Sequence, residues 1–171
     1  LASLANDINL NLALFERVKS VHFEKDSLNL NAEQQTLLDK SYKGFVRNGA
    51  LLATDKKDRL RQIDAELAVL KLKFGENILA ETNAYQLHLT DEKDLSGLPE
   101  GAIEAAKGLA TSLDKDGWIF TLDYPSYIPF VTYADNRELR KEISLAAGRK
   151  AFQKNEYDNS KNLLSIAKLR Y

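Results

Sequence analysis

Cysteine and methionine are both absent from the 171 residues. The first absence excludes disulfides and thiolate metal sites. It leaves the compartment open between cytosol and periplasm, since cysteine-free proteins occur in both. The second means that even an initiator is missing, so the native N-terminus is expected to have been removed. Neither sign of charge predominates: 24 Lys and Arg stand against 25 Asp and Glu, for a net charge of -1. That balance argues against nucleic acid, anionic lipid or an acidic substrate as partner. No apolar run approaches the roughly 18 residues needed to cross a bilayer, so no membrane association is expected. Residues 1–14 include Asp7 and several Asn, and lack the basic start and apolar centre of a signal peptide. Internal repeats and low-complexity segments are absent as well.

What is present is an ordinary globular composition, 44% hydrophobic and 29% charged, long enough to bury a core. Ile8, Leu12, Phe15 and Val18 recur at helical spacing. Asn31 with Gln34 three residues on reads as a capping box, opening a helix through Leu38, Tyr42 and Phe45 that ends near Asn48-Gly49. Thr54 is read as the N-cap of a long amphipathic helix with Leu60, Ile63, Leu67, Leu70, Phe74 and Ile78 on one face, reaching about Ala84. Thr90–Asp94 reads as a loop, and Pro99 as the first position of a helix carrying Ile103, Ala106, Leu109, Ala110 and Leu113 and closed by Asp116-Gly117. Asp135 with Glu138 suggests a further capping box, and a last helix begins near Asp158. That helix reaches Tyr171 without a cap, as a chain cut within a larger protein would. The fold expected is all-α, a bundle of about six helices with one short extended or β segment near residues 117–133.

That segment packs Trp118, Phe120, Tyr124, Tyr127, Phe130 and Tyr133 into sixteen residues. Trp118–Leu122 alternates as a strand does, and Pro125 and Pro129 are taken to forbid a helix interior. Such aromatics can anchor an extended segment to a helical core, line a ligand cleft, or stack on bases. Few basic residues lie among them, Arg137 and Arg140 coming only afterwards, so core anchoring leads.

Conventional catalytic patterns are missing. The two histidines, His22 and His88, lie far apart in sequence, whereas a zinc peptidase helix presents two His four residues apart with a Glu beside the first. Both are read as surface or helix-end residues. Gly44 and Gly49 have the spacing of a phosphate loop, but Ala50 and Leu51 stand where Lys and Ser or Thr would be required. Asp64 and Glu66 fall opposite the apolar stripe and read as solvated. We therefore assign no catalytic, cofactor-binding or metal residue to this chain.

Several stretches nevertheless form a recognisable series: Asn6–Asn11, Leu14–Val18, Phe45–Leu52, Leu67–Leu79, Thr90–Pro99, Trp118–Phe130 and Tyr133–Arg140. In order and spacing the series resembles the thimet oligopeptidase family of zinc metallopeptidases, and within it the bacterial peptidyl-dipeptidase branch. The resemblance covers essentially the whole chain. It implies that residues 1–171 are a single helical fragment, the N-terminal part of a larger two-half peptidase whose partner is the remaining catalytic half. It also implies zinc in that parent, on a His-Glu-x-x-His helix plus a downstream Glu, and release of C-terminal dipeptides from short peptides in a narrow channel. That helix is absent here, so the fragment is expected to be inactive alone, without zinc, and to form channel wall. The rival expectation is a stand-alone helical interaction or scaffold module.

Overall fold

The computed structural model describes residues 2–171. They divide into two compact units, the first holding residues up to Lys71 together with Leu169–Tyr171, the second Leu72–Lys168. Eight α-helices and one two-stranded sheet are present among the described residues, so the fold is mostly α as expected, with more helices than the periodicity resolved.

The first unit begins with α1 (Ala2–Asn9) and α2 (Leu12–Phe23). The single helical face read through Ile8, Leu12, Phe15 and Val18 is in fact broken between these two. Asn11 breaks it, because its side chain accepts a hydrogen bond from Leu14 N at 3.0 Å and starts a new helix. Phe15 is buried while Ile8 and Leu12 are exposed. A short 3₁₀ turn, Lys25–Ser27, leads to α3 (Ala32–Arg47). The capping box is formed in both directions, Asn31 Oδ1 accepting from Gln34 N and Gln34 Oε1 from Asn31 N. Gly49, at φ +92°, makes the left-handed exit expected after Asn48. Packing of α2 on α3 sets Phe15 between Tyr42 and Phe45, with ring centroids 5.9 and 6.0 Å away.

The boundary between the units falls inside α4 (Thr54–Ala84), 31 residues and therefore about 46 Å long. Its first intrahelical acceptor is the carbonyl of Ala53, bonded by Lys57 N, so Thr54 opens the helix proper and Ala53 takes the cap position. Leu67 is buried on the face that the spacing marked.

In the second unit β1 (Leu87–Leu89) pairs antiparallel with β2 (Trp118–Phe120), His88 opposite Ile119. Between them lie a 3₁₀ turn at Glu92–Leu95 and α5 (Glu100–Ser112), with Pro99 as its cap rather than its first residue. The expectation that Pro125 and Pro129 bar a helix is overturned: Tyr124–Tyr133 is helical and forms α6. Pro125 sits in the first turn, where an N–H has no partner within the helix. Pro129 then forfeits a single bond, and the burial of Phe130 against Phe120, centroids 4.6 Å apart, holds the turn in place. Next come α7 (Arg137–Gly148) and α8 (Ser160–Arg170). The cap of α7 is Asn136, whose Oδ1 accepts from Glu138 N and Leu139 N, one residue past the Asp135 read from sequence. The core of this unit gathers Leu87, Leu89, Leu95, Leu98, Ala106, Phe120, Leu122, Phe130, Ala134 and Ile143.

Candidate functional site

Two polar clusters stand out, one in each unit. In the first unit His22, on α2, lies flat on Tyr42 of α3, with ring centroids 4.1 Å apart and planes 16° from parallel. Its Nε2 is 3.0 Å from Asp39 Oδ1, and the same oxygen accepts from Lys25 Nζ at 3.1 Å. The Lys25 ammonium holds the Asp39 carboxyl below its ordinary value. His22 lies in the last turn of α2, the helix-end placement of the two read from sequence, its ring half-buried and tied between helices, and its Nδ1 is buried with no partner among the described residues. The cluster links α2, the following turn and α3, and it brings no nucleophile to the imidazole.

The second cluster lies on the second half of α4. Asn77 and Glu81 are buried on the face that also carries Phe74 and Ile78. Asn159, fully buried, accepts from Asn77 Nδ2 at 2.9 Å and donates through its own Nδ2 to the Phe74 carbonyl at 3.0 Å. Glu81 accepts from the Ala151 backbone N–H, from Gln153 Nε2 at 3.0 Å and from Asn155 Nδ2 at 2.6 Å. Together these bonds lash the loop between α7 and α8 to α4. The loop needs the restraint: Ala151 and Lys154 hold φ values of +60° and +58°, which cost non-glycine residues free energy. Asp158 braces the same loop by accepting from Ser160 N and Lys154 N, each at 2.8 Å. Its bonds to Ser160 and Lys154 lower its carboxyl from the usual value.

Beside Glu81 a small cavity of about 190 Å³ is lined by Tyr85, Leu122, Gln153, Asn155 and Tyr157. Burial, helped by the Glu142 charge, pushes the Tyr85 hydroxyl up to about 12. All three donors that reach Glu81 come from the chain itself, so the carboxylate is committed to the loop.

The remaining candidates are dispersed. His88 is exposed on β1, its Nε2 2.6 Å from the Asp116 carbonyl. Glu66 is exposed as read, whereas Asp64 is half-buried. Phe120 and Phe130 of the aromatic stretch are buried core anchors, while Tyr124 and Tyr133 are exposed. Among the described residues no group of three or more His, Cys, Asp or Glu could hold a metal ion, and no helix is long and apolar enough to cross a membrane.

No protein-family model matches the chain. Individual relatives do. Oligopeptidase A of Escherichia coli is 35% identical over 146 residues, covering 83% of this chain and 22% of the relative. Oligopeptidase A of Haemophilus influenzae is 36% identical over 80% of the chain and 21% of its own length. Dipeptidyl carboxypeptidase of Salmonella typhimurium is 32% identical over 171 residues, 99% of the chain and 25% of that protein. The chain thus spans between a fifth and a quarter of the length of these relatives. Homologous over most of its residues to oligopeptidase A and dipeptidyl carboxypeptidase, it matches the thimet oligopeptidase family.

Proposed function

We propose that this chain is the non-catalytic N-terminal helical portion of a zinc metallopeptidase that removes C-terminal dipeptides from short peptides, and that it forms part of the wall of the substrate channel. The observation that carries the reading is one of extent. Similarity to dipeptidyl carboxypeptidase runs through 99% of this chain but only 25% of that relative. The disposition of donors supports the non-catalytic part. His22 and His88 are engaged by Asp39 and the Asp116 carbonyl and lie on separate elements, so these residues do not fit a zinc site. The proposed partner is the rest of the same protein, which would supply the metal, and the proposed substrates of that parent are short peptides.

A scaffold role suits a structure whose polar chemistry is spent on holding a loop to a long helix. Such a wall limits what can enter without touching the reacting atoms.

The test is expression of the full reading frame. The parent should release dipeptides from short peptides in a reaction abolished by a chelator, and the 171-residue chain should take up no stoichiometric zinc. A parent that hydrolyses no peptide, or tight one-to-one zinc uptake by this chain, would overturn the proposal.

A further inference from the structure

In the first unit α2 and α3 leave between them an open groove of about 400 Å³, lined by Val18, Val21, Leu30, Leu37 and Leu38 with Arg17 at its rim. Val21 is 43% and Leu37 68% exposed. Apolar side chains exposed along one furrow can receive the apolar face of a further helix. We propose that the groove is the seat of an amphipathic helix belonging to the part of the peptidase chain outside these 171 residues. The inference rests on reading the chain as part of a longer protein, and it names the surface on which the rest docks.

Three observations select this occupant. The matched relatives are four to five times as long as the segment they share with this chain, so a large amount of polypeptide is there to be packed. A furrow between two packed helices receives the side-chain ridge of a third. With α2 12 residues long, the furrow offers about 18 Å, enough for two to three turns with apolar residues at i, i+3 or i+4, and i+7. Finally, Arg17 makes no ion pair among the described residues, so the incoming helix is expected to carry a carboxylate beside its apolar stripe. A second copy of the chain fits less well. A two-fold contact would set groove against groove, concave on concave.

The experiment uses the full-length parent. Single substitutions Leu37→Cys and Ser41→Cys, Ser41 being another residue that lines the groove, are made in turn, the second nearly isosteric so that folding is preserved. Labelling of each thiol by a maleimide is followed by peptide mass mapping, natively and after unfolding in urea. A seated helix slows native labelling at both positions by about tenfold or more relative to the unfolded reference. Labelling within about threefold of that reference overturns the inference, and so does protection that disappears on dilution, which would mean a second copy. Peptide hydrolysis by the unsubstituted parent is measured alongside. Hydrolysis with open thiols overturns the docking surface alone; protected thiols without hydrolysis support the docking surface and overturn the peptidase reading.

Discussion

Asn77 Nδ2 donates to Asn159 Oδ1 at 2.9 Å, joining the second half of α4 to the residue that opens α8 across 82 positions of sequence. Asn159 is fully buried, and its amide also donates to the Phe74 carbonyl while its oxygen accepts from Asn162 Nδ2 at 2.9 Å. Asn159→Ala would strand the Asn77 amide away from water, whereas the Phe74 carbonyl, inside α4, would lose only a second bond and keep its helical one. A buried group left unpaired costs about 1–3 kcal/mol. The variant is therefore expected to lose about 1–3 kcal/mol, read as a lower unfolding midpoint in urea at unchanged slope. A loss below about 0.5 kcal/mol would mean that the loop re-pairs that amide.

Glu81 presents a sharper chemical test. A carboxylate has acceptors only, and Glu81 uses both oxygens, one for Ala151 N–H and the other for Gln153 and Asn155. Glu81→Gln replaces one oxygen with an NH₂ group that must face a donor. The expected result is destabilisation of about 1–3 kcal/mol and faster amide exchange confined to residues 149–159, since the left-handed Ala151 and Lys154 lose their restraint. Uniform exchange across the chain would point instead to a global effect.

How much of this could be read beforehand differs element by element. The stripe from Leu60 to Ile78 announced α4 because six apolar residues at spacings of three or four leave no other regular structure. Asn31 and Gln34 announced the start of α3 because a capping box is local chemistry. The Tyr124–Tyr133 helix was misread because proline was weighed as a breaker without asking where in a turn it sat. Asn77 and Glu81 were missed for a different reason. Their spacing from Phe74 and Ile78 puts them on the buried face, a place that Asn and Glu seldom occupy unless paired. Their partners, Asn159 and residues 151–155, lie too far along the chain for any local pattern to reveal. The same holds for His22, whose stacking on Tyr42 depends on how α2 meets α3.

Acid sensitivity follows from Asp39. The Lys25 hydrogen bond lowers its folded-state value below the ordinary 3.8. A depressed carboxyl contributes stability that is fully present above the unfolded value and is lost as pH falls through the folded one. Asp39→Asn should therefore lower the thermal midpoint at about pH 6, and the gap from the unsubstituted chain should close as pH drops below 3.8. A gap that persists unchanged into acid would assign the effect to lost packing rather than to charge.

The tightest backbone constraint in the sheet is at Gly117, which holds φ +85° just before β2. A Cβ built there would fall inside contact distance of the Leu89 carbonyl oxygen, a backbone atom of β1 that cannot rotate aside. Gly117→Ala thus combines the cost of a left-handed conformation with a clash at the point where the two strands join. We expect a loss of about 3 kcal/mol or more, with amide exchange faster in Leu87–Leu89 and Trp118–Phe120 than in α2 and α3. Gly101, whose added Cβ would meet nothing within 4 Å, is the matched control. Gly101→Ala should be neutral or stabilising by up to about 1 kcal/mol, since alanine is the better helix former in α5. Equal effects at the two positions would show that the close approach of Gly117 to Leu89 does not govern the pairing of β1 with β2.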